Sequence, residues 1–315
     1  MGAKDVEPSA PTHTIKLPGH RLRSVAQWLL SKSPPAQHPK PSKDAIKIVI
    51  VSDTHNNKPN LPPGDLLIHA GDMTEWGSFD EIQDQLSWLN AQSHTHKIVI
   101  AGNHDILFDQ IFLDTHQDRF PTEPGKTKNN LNFGDVIYLE NSAITLSFPS
   151  SKKESARTLK IYGSPWTPKY LDSAFQYPID EDPWSKLTAG EEMQNVDILI
   201  THGPAWGHVD GSLRRGCQFL AHHVARWKPR LHISGHIHVG YGREVVRYDG
   251  VRRRYEEVQR GWAGWWSVAM MAICVLWINL SGLLFKRKQH ITEHVNAAVV
   301  GDGNQVVNEA IVVSL

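Results

Sequence analysis

The sequence predicts an α/β protein, on three observations. Short β-branched apolar runs recur along the chain, segments of helical periodicity separate several of them, and the runs end in polar or Gly residues. The 315 residues suffice for one large domain or two small ones. A composition of 40% hydrophobic and 21% charged residues suits a globular core.

Residues 1–44 are rich in Pro, Ser, Lys and His and read as a flexible leader, with one short amphipathic stretch at Leu22 to Leu30. The ordered domain is expected over 45–315. Ile46 to Val51 is short and β-branched, hence a buried strand; Leu66 to Ala70 and Ile98 to Ala101 read the same way. Phe79 to Asn90 places Ile82, Leu86 and Leu89 on one helical face. Further strands are expected at Val136 to Leu139, Ile144 to Phe148, Leu159 to Tyr162, Val196 to Ile200 and Leu231 to Ser234, with a helix over Leu213 to Trp227. Strand–helix alternation early in the chain implies parallel pairing; the consecutive strands of 136–162 imply antiparallel pairing.

Trp262 to Phe285 departs from this pattern. It is uncharged, strongly apolar, about as long as a membrane span, and followed by Lys286-Arg-Lys288. Yet Val295 to Val300 and Ala310 to Val313 read as later strands of the same sheet system. A single crossing would part them from their domain and leave a sheet edge open. The expected solution is a hydrophobic insertion at about 261–288 that leaves and returns on one side, associating with a membrane surface through 262–285 or covering an apolar patch. A span and a membrane adaptor defined by this segment are the competing readings.

Lys plus Arg (33) balance Asp plus Glu (33), which weighs against a nucleic-acid partner. Two distant cysteines, Cys217 and Cys274, do not read as a disulfide framework, and the polar N-terminus does not read as a signal peptide. The expected location is the cytoplasm, with the membrane association just described.

The chemistry sits in the punctuation. Runs end in Asp53-Thr-His55, Gly71-Asp72, Gly102-Asn-His-Asp105, Thr201-His-Gly-Pro204 and Gly235-His-Ile-His238. Ligands of open α/β sheets bind beyond the carboxyl ends of strands, so five scattered turns would share one crevice. Asp, His and Asn mix oxygen and imidazole donors and suit Mn, Fe or Zn better than a pure Mg or Ca cage. Asp-x-His and His-x-His place two side chains on one face if the backbone is extended. Gly71, Gly102 and Gly235 would let the backbone turn sharply and approach the ions.

In that order, D-x-H, G-D, G-N-H-D, H-G and G-H-x-H resemble the calcineurin-like metallophosphoesterases, from about Ile46 to Gly242. Gly71-Asp-Met-Thr with Trp76-Gly77, Tyr162-Gly-Ser-Pro-Trp166, Leu231 to His238 and Gly240-Tyr-Gly242 are similar to the small metallophosphoesterase-domain-containing branch. The resemblance implies a sandwich of two mixed β-sheets flanked by helices. It implies two divalent metal ions, one held by Asp53, His55 and His238, the other by Asn103, His202 and His236, with Asp72 bridging. It implies that His104, oriented by Asp105, acts on the phosphate. The activity implied is hydrolysis of a small phosphoester, with a cyclic-nucleotide-like phosphodiester as the substrate class. A protein Ser/Thr phosphatase and a catalytically weak nucleotide- or metal-binding module are the rivals.

Single residues have plainer readings. His69 reads as a core histidine that hydrogen-bonds near a ligand, and His208, His222 and His223 as surface or helix-face residues. Cys217 reads as core packing, Trp76 and Trp166 as buried aromatics rather than stacking platforms, and Arg252-Arg-Arg254 as a solvated face.

Overall fold

The computed structural model describes residues 19–36, 44–121, 123–149, 157–187, 190–282 and 290–315. Most of the expected leader, and residues 283–288 of the expected insertion, lie outside them. The chain divides into two compact units. One is formed by Ala36–Arg247 and His290–Leu315, the other by Met1–Pro35 and Tyr248–Gln289.

The larger unit holds the sheets. Its strands are β1 (Lys47–Val51), β2 (Leu66–His69), β3 (His96–Val99), β4 (Val136–Tyr138), β5 (Ser142–Phe148), β6 (Arg157–Ser164), β7 (Thr167–Pro168), β8 (Gln176–Tyr177), β9 (Ile198–Thr201), β10 (Leu231–Ser234), β11 (Gly242–Arg247), β12 (Ile291–Asn296) and β13 (Ile311–Ser314). Five form one sheet in the order β13-β1-β2-β3-β4; six form a second, β11-β12-β10-β9-β6-β5. Both are mixed: β1 to β4 pair in parallel while β13 pairs antiparallel to β1, and β9, β10 and β12 run parallel while β5–β6 and β11–β12 are antiparallel. Val136 to Tyr138 therefore corrects one expectation. It pairs in parallel with β3 in the first sheet, and only β5 and β6 form an antiparallel hairpin.

The sheets face one another. Ile48, Ile50, Ile68 and Ile98 of the first share a buried cluster with Leu146, Ile161, Ile200 and Ile233 of the second. Alternate residues of the first sheet, Val49, Val51, Leu67 and Val99, point the other way, onto Ile82, Leu86 and Leu89 of the helix Phe79–Asn90. Burial on both faces is why these strands read as continuous apolar runs. The helix starts where Ser78 accepts a hydrogen bond from the Glu81 amide while the Glu81 carboxylate accepts from that of Ser78, a capping box. The expected helix over 213–227 begins only at Gln218. Gly211 and Arg214 have left-handed backbones, and the Asp210 carboxylate accepts hydrogen bonds from Gly207 N and Gly216 N, fixing a loop there.

In chain order the helices are α1 (His20–Ser31), α2 (Phe79–Asn90), α3 (Gln110–Thr115), α4 (Trp184–Leu187), α5 (Gln218–Trp227), α6 (Gly250–Gln259) and α7 (Trp265–Gly282). The smaller unit is the three-helix assembly of α1, α6 and α7, closed by Leu22, Ala26, Leu29, Val251, Tyr255 and Met271. Among the described residues no helix is long and apolar enough to cross a membrane.

Candidate metal centre

All five punctuation motifs lie at the same ends of the two sheets. Asp53 and His55 follow β1, Asp72 follows β2, Asn103 and His104 follow β3, His202 follows β9, and His236 and His238 follow β10. Their donor atoms fall into three clusters, each within 4.8 Å: Asp53 with His55 and His238, His55 with Asp72 and His104, and Asp72 with His202 and His236. His55 and Asp72 each belong to two, so the clusters form one continuous group. Asn103 joins it through its Oδ1, 3.1 Å from His202 Nε2.

Backbone conformation produces this convergence in a way that alternation along a strand would not. Asp53, His55, Asp72 and His236 all have positive φ, and His238 opens a short 3₁₀ turn. Each pair is thus presented from a tight turn, and the expected extended Asp-x-His and His-x-His geometry is corrected. Of the three glycines, only Gly71 needs the left-handed region (φ +96°). Gly102 and Gly235 are required by close approach: a Cβ would stand 2.7 Å from His202 Cε1 at the first and 2.7 Å from Ser52 Cβ at the second.

The electrostatics are those of a buried charge cluster. Burial alone would raise the Asp53 carboxyl, but its hydrogen bond to His238 and the nearby His202 outweigh this and bring it down to about 2. Asp72 is likewise held well below the carboxylate range, against its burial, by His202 and His104. His202 Nε2 lies 3.1 Å from Asp72 Oδ2; burial opposes the imidazolium there, yet the Asp72 carboxylate pushes it up to about 9. Burial pulls His236 down to about 4 and pulls His55 down.

Neither ring nitrogen of His55 makes a hydrogen bond, although both are buried. Nδ1 has only the Glu75 carboxylate near it, 3.3 Å away, and Nε2 has no hydrogen-bond partner; a buried imidazole left so is costly unless something else takes a lone pair. The donor set of carboxylate, imidazole and amide oxygen therefore fits a divalent metal.

The surroundings of His104 revise one role. Its Nδ1 lies 2.8 Å from the Glu75 carbonyl, so Nδ1 is the donor and Nε2 is left for the site. Asp105 does not orient this ring. Its carboxylate accepts from Gly102 N, Met73 N, Thr74 N and Thr74 Oγ1, and so ties the β2 turn to the β3 turn. Glu75 was not singled out from sequence. Its carboxylate lies 3.3 Å from His55 Nδ1 and accepts from Asn304 Nδ2, while Asn57 Nδ2 donates to Asn304 O at 3.0 Å. Its position within Gly71 to Gly77 was the available signal, since the residue after Thr74 can reach back to the site.

His69 is fully buried and lies 2.9 Å from Thr54 Oγ1, within the turn that carries Asp53 and His55. His208 and His223 are buried, against expectation, and Trp76 is exposed while Trp166 packs edge-on against Phe175. Cys217 is buried and caps α5, accepting from Leu220 N. In the smaller unit Arg252 and Arg253 pair with Glu256 and Glu257 along α6.

A family model described as calcineurin-like phosphoesterase matches residues 46–240. A protein of Emericella nidulans named "Probable rhamnogalacturonate lyase C" is 39% identical over 286 residues, 89% of this chain and 25% of that one. Metallophosphoesterase domain-containing protein 1 of Homo sapiens is 38% identical over 227 residues, 66% of this chain and 65% of that one. A UPF0046 protein of Caenorhabditis elegans is 34% identical over 224 residues, 63% and 53% of the two chains. The chain thus spans a quarter of the first relative and just under two thirds of the second.

Proposed function

We propose, because the chain belongs to the calcineurin-like phosphoesterase family, that it hydrolyses phosphoesters with two divalent ions. The observation that carries this reading is the sharing of His55 and Asp72 between ligand clusters. One ion would be held by Asp53, His55 and His238, the other by Asn103, His202 and His236, with Asp72 reaching both. Bound there, such ions supply Lewis-acid polarisation of the phosphoryl group and activation of water.

The chain's own residues do the rest. His104 donates from Nδ1 to the Glu75 carbonyl, which fixes the ring and leaves Nε2 facing the site. Burial works against its imidazolium, but Asp72 and the Glu75 carbonyl raise its pKa overall. A protonated Nε2 can give its proton to the leaving-group oxygen. Buried carboxylates and imidazoles on tight turns keep this geometry without reorganisation.

For the substrate we favour a small phosphodiester of the cyclic-nucleotide class. Trp76, next to the residue that fixes His104, is 69% exposed, and an exposed indole can stack a base. The test is hydrolysis of bis(p-nitrophenyl) phosphate and p-nitrophenyl phosphate after chelation and reloading with Mn²⁺, then of cyclic nucleotides against a phosphoserine peptide. Preference for the diesters is expected; preference for the peptide would turn the reading towards a protein phosphatase. Asp72→Ala should lose both metal and turnover. A variant that still binds two ions per chain and turns over normally would overturn the site.

A further inference from the structure

The three-helix unit buries only part of α7. Val268, Met271 and Val275 pack against α1 and α6. The opposite arc shows Trp265, Trp266, Ile273, Leu276, Trp277 and Leu280, each more than half exposed, with Trp266 at 78%. No charged residue occurs between Gly261 and Phe285. Over 18 residues this arc runs about 27 Å. Such a continuous apolar face is unusual on a surface left in water.

We infer that α7 is a lipid-docking helix that lies in the surface of an anionic membrane. Three observations select this occupant. The first is polarity: a protein interface of this length carries a polar rim, whereas the exposed arc of α7 is apolar and opens on Trp265 and Trp266, with the exposed Trp262 in the turn before it, an aromatic cluster of the kind found at the headgroup boundary. The second is charge. The whole chain is balanced, but the described part of this unit carries seven Arg or Lys (Arg21, Arg23, Lys32, Arg252, Arg253, Arg254, Arg260) against three carboxylates, Asp249, Glu256 and Glu257. Arg260 and Glu256 are buried against each other, and the same excess remains among the others, which suits anionic headgroups. The third is connectivity. Arg247 at the end of β11 is the register partner of Ile291 at the start of β12. The excursion that contains α7 leaves and re-enters the sheet at paired residues, so its two ends lie on one side of any membrane. A helix of this kind lies along the bilayer and does not cross it.

The test is flotation of the full chain with vesicles of phosphatidylcholine alone and of phosphatidylcholine with phosphatidylserine. The chain should float with both, more strongly with the anionic vesicles, and salt should weaken that preference. Trp266→Glu with Leu276→Glu should lower partitioning by at least about tenfold, because withdrawing each large apolar side chain from the bilayer costs about a decade or more. Turnover of the chromogenic diester should stay unchanged. Quenching of tryptophan fluorescence by brominated lipid, measured on the unaltered chain, decides the matter should the double variant misfold. A chain that stays lipid-free with both vesicle types and unquenched by brominated lipid overturns the inference. So does a lipid-free dimer that the two substitutions dissolve, which would assign the face to a second copy.

Discussion

His104 and Glu75 divide the work of one turn. His104 stands with His55 and Asp72 in one donor cluster, while Glu75 fixes it through its carbonyl and meets His55 through its carboxylate. Replacing His104 by Ala should leave metal content and fold intact and slow hydrolysis by about 10²–10⁴. The loss should shrink for substrates whose leaving groups need no proton; a leaving-group series on the variant shows this directly, and an equal loss throughout would argue for charge stabilisation instead. Glu75→Ala should act on the metal instead. Groups that orient a metal-bound imidazole are typically worth about 10–100-fold in affinity, so titration of the chelated variant with Mn²⁺ should show a drop of that size with the fold retained. Unchanged affinity would reduce Glu75 to a holder of His104. These two residues also mark a limit of sequence reading. His104 was legible because Gly-Asn-His-Asp is a compact string. Glu75 was not, because its partners His55 and Asn304 lie 20 and 229 positions away and only folding brings them together.

At the scale of elements, strands buried on both faces announced themselves as apolar runs, and α2 by its periodicity. What the runs did not carry was the conformation of the turns after them, since a positive φ at Asp53, His55 or His236 has no signature in residue type beyond a tolerance for Asp and His. The second sheet holds another feature invisible in sequence. His232 on β10 and His294 on β12 are register partners, their Nδ1 atoms are 3.0 Å apart, and His208 stacks on His294 at 4.1 Å. His232 Nε2 also meets Thr201 Oγ1 at 2.9 Å. Burial, with His208 adding to it, pulls His232 down to about 3. It is neutral in the fold, whereas in the unfolded chain it takes a proton near 6.5. Below that pH the unfolded state binds the extra proton, so the contribution is fully present above 6.5 and drains away as pH falls towards 3. Denaturant midpoints measured between pH 7 and 5 should therefore fall with acidification, and less steeply in His232→Gln. Parallel slopes for the two proteins would show that His232 does not titrate on unfolding.

At the scale of the molecule, the chain runs through its larger unit to β11, leaves to build a second unit, and returns for β12 and β13, which complete both sheets. The sequence exposed the departure, an uncharged apolar stretch, and the return, two late β-branched runs. It hid the helical partnership of that stretch with α1, because Leu22 and Met271 lie far apart in the chain. Since Arg247 and Ile291 are paired neighbours, a two-residue Asn-Gly turn could join them directly. The excision must also remove residues 1–35, because α1 without α6 and α7 would leave Leu22, Ala26 and Leu29 uncovered and prone to aggregate. The joined chain, residues 36–247 linked to 291–315, retains all the described strands and every ligand of the proposed centre. It should fold cooperatively, take up Mn²⁺ as the full chain does and hydrolyse the chromogenic diester at a comparable kcat, while losing flotation with anionic vesicles. Calorimetry, metal analysis and turnover on the purified variant check each part. An inactive but folded and metal-loaded variant would mean that the three-helix unit takes part in turnover, which none of the ligand geometry requires.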